Sequence, residues 1–238
     1  MLVNIQKDLQ NLADKEQAKN LQRFFKTGKG EYGEGDLFLG LKVPQVRKIV
    51  AKYYKTTELN DLEVLLSNNF HEIRLTAFLI LVKKYEHAKN ENEKKKIVDF
   101  YLANLERANN WDLVDLSAPR ILGAYLLDKL SEDREVLYDL VSSSNLWRQR
   151  VAILATFTFI KNEQFTDVLK ISLLLLNHQH DLIHKAIGWM LRELGKKDQF
   201  LLEKFLQENY KKIPRTTLRY SIERFEKEKR LKFLKGQF

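Results

Sequence analysis

The chain of 238 residues is long enough for one large domain or at most two, and its 44% of hydrophobic residues can form a sizeable core. Only 3 prolines and 9 glycines occur, too few turn residues for a β-sandwich, barrel or propeller. Cysteine is absent, which excludes disulfides, thiolate nucleophiles and cysteine-ligated metal sites. No apolar signal-peptide core and no apolar stretch of about 18 residues is present. The composition therefore predicts a soluble, cytoplasmic, all-α protein.

The net charge of +9 is unevenly distributed along the chain. Residues 1–119 hold 19 basic and 17 acidic residues, whereas residues 120–238 hold 22 and 15. A basic balance of this kind is typical of proteins that bind polyanions such as nucleic acid. A lysine-rich surface without a specific partner would give the same total, so charge alone leaves both interpretations open.

Helical hydrophobic patterns follow one another along the chain with short breaks. A first helix is expected over about 4–25, followed by the glycine-dense stretch 28–40 and by a helix that starts near Pro44. The later helices are expected at about 44–55, 58–66, 70–86, 91–106, 111–129, 133–142, 145–160, 164–176, 180–195, 198–211, 214–225 and 227–235.

Five of these segments begin alike, with a polar or charged residue at the second position of an otherwise apolar run. The residues at these second positions are Arg74, Asp115, Arg150, Lys185 and Arg219. Their spacings of 41, 35, 35 and 34 residues are typical of HEAT or armadillo repeats, which stack pairs of helices into an α-solenoid. We therefore predict one HEAT-like repeat domain over 1–238, in which 1–56 form the N-terminal helices and loop and 57–238 the repeat stack.

Equivalent positions of such a stack lie on one side, so the five residues should form a row along the helices that line the concave surface. The row is basic except for Asp115, and a basic groove suits a phosphate backbone. One acid in it weakens non-specific DNA binding and needs another explanation. Asp115 is then either a functional carboxylate or the partner of a neighbouring arginine such as Arg150.

Two weaker patterns indicate other kinds of site. The run from Gly28 to Gly33 matches G-x-G-x-x-G, but no strand precedes it, and a surface loop is the favoured interpretation. His178, His180 and His184 lie close in sequence without an H-E-x-x-H pattern, so a structural role is favoured over metal binding. We expect neither a metal nor a cofactor. The basic and apolar C-terminal segment is expected to cap the stack, with binding to a membrane surface as the weaker alternative.

Tryptophans accompany the charged row in two places. Trp111 lies four residues before Asp115, so the two share a helical face. Lys185 and Trp189 are spaced in the same way, and Arg148 lies at the start of another of these helices. We expect the two tryptophans, the carboxylate and several cations to converge on one groove. The alternative is a core position for Trp111, with Asp112 as a helix-capping acid.

Four blocks of the chain resemble, in the same order, the AlkD-like DNA alkylation repair proteins, a family of HEAT-repeat DNA glycosylases. The blocks are RFFKTGKGEYGEGDLFLGLKVPQVRK (23–48), NNWDLVDLSAPRILG (109–123), LWRQRVAILATFTFIK (146–161) and HKAIGWMLRELGK (184–196). The resemblance implies an enzyme that acts in base excision repair. We expect it to be a monomer in the bacterial cytoplasm, because a solenoid that wraps DNA can act alone and the absence of cysteine fits a reducing compartment. Its substrate would be double-stranded DNA carrying N3- or N7-alkylated purines, excised without flipping the base.

The resemblance also implies roles for individual residues. Asp115 matches the catalytic carboxylate, Trp111 and Trp189 match the aromatics that flank it, and Arg150 matches an arginine that contacts the DNA backbone. His184 departs from the family pattern, which has Arg or Lys before the KAIGW run. Further backbone contacts are expected from Arg148, Lys185, Arg74 and Arg219.

The chemistry of alkylated purines agrees with a single carboxylate. Alkylation at N3 or N7 makes the base cationic and a good leaving group, so no general acid is needed. One carboxylate can stabilise the positive charge that develops on the sugar, whereas hydrolysis between sugars usually requires two. A non-catalytic DNA-binding module and a protein–protein scaffold remain as alternatives. The presence of Asp115 with both tryptophans favours the enzyme.

Overall fold

The computed structural model describes residues 2–238, and the regular structure within them is helical apart from one isolated parallel bridge between Leu37 and Phe70. The α-helices are α1 (Leu2–Gln10), α2 (Lys15–Phe24), α3 (Val43–Tyr53), α4 (Leu59–Leu66), α5 (His71–Glu86), α6 (Glu91–Ala103), α7 (Trp111–Ser117), α8 (Ala124–Leu126), α9 (Glu135–Ser142), α10 (Leu146–Lys161), α11 (Thr166–Leu175), α12 (Asp181–Gly195), α13 (Gln199–Asn209), α14 (Arg215–Ser221) and α15 (Lys227–Lys235). Within this part of the chain, no helix has the length and apolar character needed to cross a membrane.

The all-α prediction is confirmed, and most predicted helices differ from the observed ones by only a few residues at each end. The single helix predicted over 4–25 is wrong, because α1 ends before Asp14 and this residue caps a second helix. Its carboxylate accepts hydrogen bonds from the backbone N–H groups of Glu16 at 2.9 Å and Gln17 at 3.0 Å. The helix predicted over 111–129 is also interrupted, by a π-helical turn at Pro119–Gly123.

The chain divides into two compact units, Met1–Ile121 and Leu122–Phe238, called unit 1 and unit 2 below. In unit 1, α5 is the central helix and packs against α1, α3, α4, α6 and α7. Every residue of α5 from 71 to 82 is buried, which explains why its sequence lacks a polar stripe. Its polar residues in this run therefore need partners inside unit 1.

In unit 2, α10, α12 and α14 pack side by side, while α9, α11 and α13 pack against members of this row. The close approach of α12 to α14 depends on Gly188, where a Cβ would lie 2.5 Å from the Cβ of Tyr220 and 2.8 Å from the carbonyl oxygen of Thr217. Two alternating sets of helices are what a two-helix repeat predicts. The HEAT-like solenoid and the single repeat domain over 1–238 stay predictions.

Candidate functional site

The predicted site residues lie in both units, and each set is described within its own unit. Unit 1 contains Arg74, Trp111 and Asp115. Unit 2 contains Arg148, Arg150, Lys185, Trp189 and Arg219.

Helix α7 carries both Trp111 and Asp115 on one partly exposed face, while Leu113 and Val114 between them are buried. The helix begins at Trp111 because the side-chain oxygen of Asn110, whose backbone is extended, accepts a hydrogen bond from the Trp111 N–H at 2.9 Å. The spacing of four residues thus places the aromatic ring and the carboxylate on neighbouring turns.

The inner side of α7 is anchored by a buried hydroxyl chain. The Tyr101 hydroxyl lies 3.0 Å from Ser117 Oγ, which in turn donates to the Leu113 carbonyl at 2.5 Å. Burial, together with the nearby charge of Asp115, raises the pKa of Tyr101. The phenol therefore stays protonated and donates to Ser117, which holds the backbone of α7 behind the Asp115 carboxylate.

Trp111 belongs to a cluster of four rings, in which Phe25 also contacts His71 directly with centroids 5.0 Å apart. Its ring is stacked on Phe25 with centroids 5.1 Å apart, Phe25 is stacked on Phe38 at 5.1 Å, and Phe38 is stacked on His71 at 4.6 Å. Phe24, 63% exposed, meets Trp111 edge-on at 5.8 Å. Trp111 is therefore neither a core residue nor a free surface residue, because one face of its ring is covered by Phe25 and the residue is partly exposed.

His71, which belongs to the same ring cluster, lies between two carboxylates. Its Nε2 is 2.9 Å from Asp112 Oδ2, and its Nδ1 is 3.3 Å from Asp36 Oδ2. Burial by itself lowers the pKa of His71, but the charge of Asp112 and the hydrogen bonds to both carboxylates outweigh it and raise the pKa from 6.5 to about 9. His71 is therefore an imidazolium at neutral pH. Sequence reasoning treated Asp112 only as a capping acid and missed this cluster.

Arg74 belongs to the same cluster and is only 4% exposed. Its Nη2 donates to Asp36 Oδ1 at 2.7 Å, and its Nη1 donates to the Asn68 carbonyl at 2.8 Å. The DNA contact expected of Arg74 stays a prediction. Its guanidinium is directed into unit 1, where it neutralises a buried carboxylate.

The glycine-dense loop is fastened to α5 by a second buried acid. The Glu72 carboxylate accepts hydrogen bonds from the backbone N–H groups of Leu39 at 2.9 Å, Gly40 at 2.8 Å and Leu41 at 3.0 Å. Gly33 lies so close to α7 that a Cβ would be 3.1 Å from Asn110 Nδ2. The chain before the loop is α2 rather than a strand, so the loop interpretation of the G-x-G-x-x-G match is the one the structure supports.

In unit 2, helix α10 presents its two arginines differently. Asn145 caps the helix by accepting hydrogen bonds from the N–H groups of Trp147 at 2.8 Å and Arg148 at 3.1 Å. The Arg148 side chain is partly exposed. Arg150 is 5% exposed, and its Nη1 donates to the Leu182 carbonyl at 2.6 Å. One bond of Arg150 thus holds the first turn of α12.

Lys185 and Arg219 meet at a polar cleft of about 640 Å³ within unit 2. The cleft is lined by Asp181, Lys185, Thr216, Arg219, Tyr220, Glu223 and Arg230. The Lys185 ammonium is 2.7 Å from the Asp181 carboxylate on the same helix. Trp189, one turn further along α12, is partly exposed and lies 5.8 Å from the Phe157 ring. The equivalent positions of the row therefore range from buried Arg150 to exposed Arg219.

The three histidines at the start of α12 form a local network. His180 Nδ1 accepts from the Leu182 N–H at 3.1 Å, and His178 Nδ1 accepts from the His180 N–H at 2.9 Å. Burial lowers the pKa of both rings, which keeps these acceptors unprotonated at neutral pH. His184 Nε2 lies 2.5 Å from the His178 carbonyl oxygen. These bonds give the histidines a structural role, and residues 2–238 contain no group of His, Asp or Glu arranged to hold a metal ion.

Comparisons with known proteins agree with the sequence resemblance at family level. The sequence model of the family described as DNA alkylation repair enzyme matches residues 5–225. The fold is similar to the solved structure of a predicted DNA alkylation repair enzyme from Enterococcus faecalis, with a TM-score of 0.71 and 17% identity over 90% of this chain and 97% of that chain. At this identity the likeness shows a shared fold. No curated protein matches the chain.

Proposed function

The chain belongs to the DNA alkylation repair enzyme family, and from this premise we propose that it is a DNA glycosylase that excises cationic N3- or N7-alkylated purines from duplex DNA. The observation that carries the proposal is the outer face of α7, where the Asp115 carboxylate lies one turn from the supported, partly exposed ring of Trp111. Both residues stand at the positions that the family resemblance assigns to the chemistry. In this proposal the protein acts as a monomer in base excision repair and needs neither a metal nor a cofactor.

Asp115 would act on the sugar rather than on the base. As the bond between C1′ and the base nitrogen breaks, the electron pair leaves with the already cationic purine, and positive charge develops on the deoxyribose. The Asp115 carboxylate stabilises this charge and orients a water molecule, whose oxygen bonds to C1′ as one of its protons passes to the carboxylate. Because the leaving group is activated by its own charge, the base need not enter a pocket that protonates it.

The tryptophans would contribute through their ring faces. A π face attracts a cation or a polarised C–H group by about 0.5–2 kcal/mol, depending on how well water is excluded. Trp111 is suited to this because the Phe25 ring behind it fixes its plane. Trp189 is assigned the same role on the strength of the resemblance and of its partial exposure on α12.

Phosphate contacts are proposed for those predicted cations of unit 2 that reach the surface, namely Arg148, Lys185 and Arg219. Such contacts position the strand and carry no sequence information. We assign Arg150 a supporting part, since its bond to the Leu182 carbonyl holds the turn of α12 that precedes Lys185.

The decisive experiment measures base release. Purified protein is incubated with duplex DNA methylated by a simple alkylating agent, and free 7-methylguanine and 3-methyladenine are quantified against a reaction without protein. Release above the spontaneous rate supports the glycosylase. Salt-sensitive DNA binding without release from any alkylated duplex favours the non-catalytic DNA-binding module, and weak, salt-insensitive binding favours a protein scaffold.

Replacing Arg219 by Ala is expected to weaken duplex binding several-fold and to lower the slope of log K against log salt by about 0.9, the value for one lost phosphate contact. The measurement is a set of binding isotherms between about 50 and 200 mM salt. Lys170→Ala is the matched control, because it removes one exposed positive charge of unit 2 from α11, outside the cleft. Equal salt slopes for the two variants would remove Arg219 from the interface.

A further inference from the structure

The buried cluster around His71 joins three separate parts of unit 1. Asp36 comes from the glycine-dense loop, His71 from the first residue of α5, and Asp112 from the second residue of α7. All three are at most 6% exposed. No step of the glycosylase chemistry uses these groups, yet three ionisable side chains are kept out of water at considerable cost unless they act on one another.

His71 is connected to the outer face of α7 in two ways. Through Asp112 it holds the first turn of the helix, since Asp112 Oδ1 also accepts the Leu113 N–H at 2.9 Å. Through the ring cluster it supports the plane of Trp111, because the Phe25 ring that is stacked on Trp111 also contacts the His71 ring, with centroids 5.0 Å apart. A change at His71 therefore reaches both the backbone that carries Asp115 and the ring beside it.

Only the imidazolium satisfies both carboxylates. A neutral imidazole has one N–H, so one of Asp36 and Asp112 would face a ring lone pair instead of a donor. The remaining charged group that faces the ring is Arg74, which binds the opposite oxygen of Asp36 and cannot replace the missing donor to Asp112. Loss of the His71 proton would therefore break the bridge that His71 makes between the loop and α7, and it would leave the bond that Asn109 Nδ2 donates to Asp36 Oδ1 at 3.0 Å.

We propose that the His71 imidazolium is a positioning residue of the active site, which clamps α7 to the glycine-dense loop and so fixes Asp115 and Trp111 in their working orientation. This inference rests on the proposed glycosylase function. It adds that the catalytic face depends on a buried proton on α5, the helix that packs against α7, and on a residue that touches neither the sugar nor the base.

The dependence on pH has a definite sign. The pKa of His71 is raised from 6.5 to about 9, so the clamp contributes fully below pH 6.5 and is lost as pH rises through about 9. The excision rate at saturating enzyme is expected to be flat from pH 7 to 8 and to fall about tenfold by pH 10. Binding of undamaged duplex should change much less over this range, because the phosphate-binding cations are assigned to unit 2.

The test combines single-turnover excision with NMR titration of the full chain. The Trp111 indole N–H signal is assigned with a Trp111→Phe variant. In the wild type, this signal and the His71 ring signals should titrate with one midpoint, near the pH at which the excision rate falls. Asp112→Asn removes the charge but keeps a side chain that can bond a neutral imidazole. In this variant the midpoint of the His71 titration should fall by more than one pH unit, and the pH at which the excision rate falls should differ from that of the wild type.

Two comparisons keep the outcome unambiguous. His87→Gln changes an exposed histidine just beyond the other end of α5 and should leave the pH profile of excision unchanged. If Asp112→Asn folds poorly, Asp36→Asn should reproduce the lowered midpoint of the His71 titration. Excision that is constant to pH 10, or a Trp111 signal that ignores His71 protonation, overturns the positioning role while leaving the glycosylase intact. If the wild type releases no base, the glycosylase fails, and the joint titration of His71 and Trp111 still decides whether the clamp exists.

Discussion

Replacing Asp115 by Asn is expected to lower the rate of 7-methylguanine excision at least about a hundredfold. The variant keeps the size and shape of the side chain and removes only the negative charge that stabilises the cationic sugar. Binding of duplex DNA should stay the same or tighten, since a repulsive charge next to the phosphates is lost. Single-turnover excision and a binding isotherm on the same methylated duplex separate the two effects.

Asp99→Asn is the matched control for this substitution. Asp99 is an exposed aspartate of unit 1 on α6, paired with Lys95 one turn away, and its loss should leave excision within a factor of two. If Asp115→Asn excised bases as fast as Asp99→Asn, the chemistry would belong to another residue. A parallel loss of binding and excision would instead make Asp115 part of the binding surface.

The sequence predicted the helices well because their signals are local. Apolar periodicity and capping residues act within a few positions, so the helices that they predict do not depend on which unit the segment packs into. The exceptions have local causes too: the predicted helix over 4–25 is broken by the N-cap at Asp14, and the one predicted over 111–129 is interrupted at Pro119. The apolar pattern at each site is compatible with a longer helix. The N-cap at Asp14 starts a new helix, and the regular α-helix is interrupted where Pro119 occurs.

The functional face was predictable only in part. Trp111 and Asp115 could be placed together because their spacing fixes a shared helical face. The cluster behind them was missed because Asp36 and Asp112 each lie 35 or more positions from His71, and no periodicity links such distant residues. The available signal was the run His71-Glu72-x-Arg74 at the start of an otherwise apolar helix, since charged residues in a fully buried helix must have partners.

The same reasoning explains the uneven charged row. Arg74, Arg150 and Arg219 occupy equivalent positions in the proposed repeats, yet the first two are at most 5% exposed and the third is exposed. A repeat period fixes which side of a helix a residue occupies, but the neighbouring elements decide whether that side is covered. In unit 1 the covering element is the glycine-dense loop, which contributes Asp36 to Arg74.

Replacing Glu72 by Ala is expected to lower the free energy of unfolding by about 3–5 kcal/mol, the cost of leaving buried polar groups without their charged partner. Glu72 is 1% exposed, and its two oxygens accept three backbone N–H groups from residues 39–41. All three N–H groups bond to this one carboxylate, so without it water would have to enter the interior of unit 1 to reach them. Chemical denaturation followed by circular dichroism measures the change.

Glu86→Ala on the same helix is the control, because its exposed pair with Lys83 should contribute less than about 1 kcal/mol. The loss of unfolding free energy in Glu72→Gln should lie between the losses in Glu72→Ala and Glu86→Ala, since a single amide oxygen can accept hydrogen bonds from only some of the loop N–H groups. The loop held by Glu72 also carries Phe38, which is stacked on both Phe25 and His71 in the ring cluster. Glu72→Ala should therefore disturb the Trp111 indole signal before global unfolding. If the free energy of unfolding of Glu72→Ala lay within about 0.5 kcal/mol of the wild-type value, the loop would be held by its other contacts.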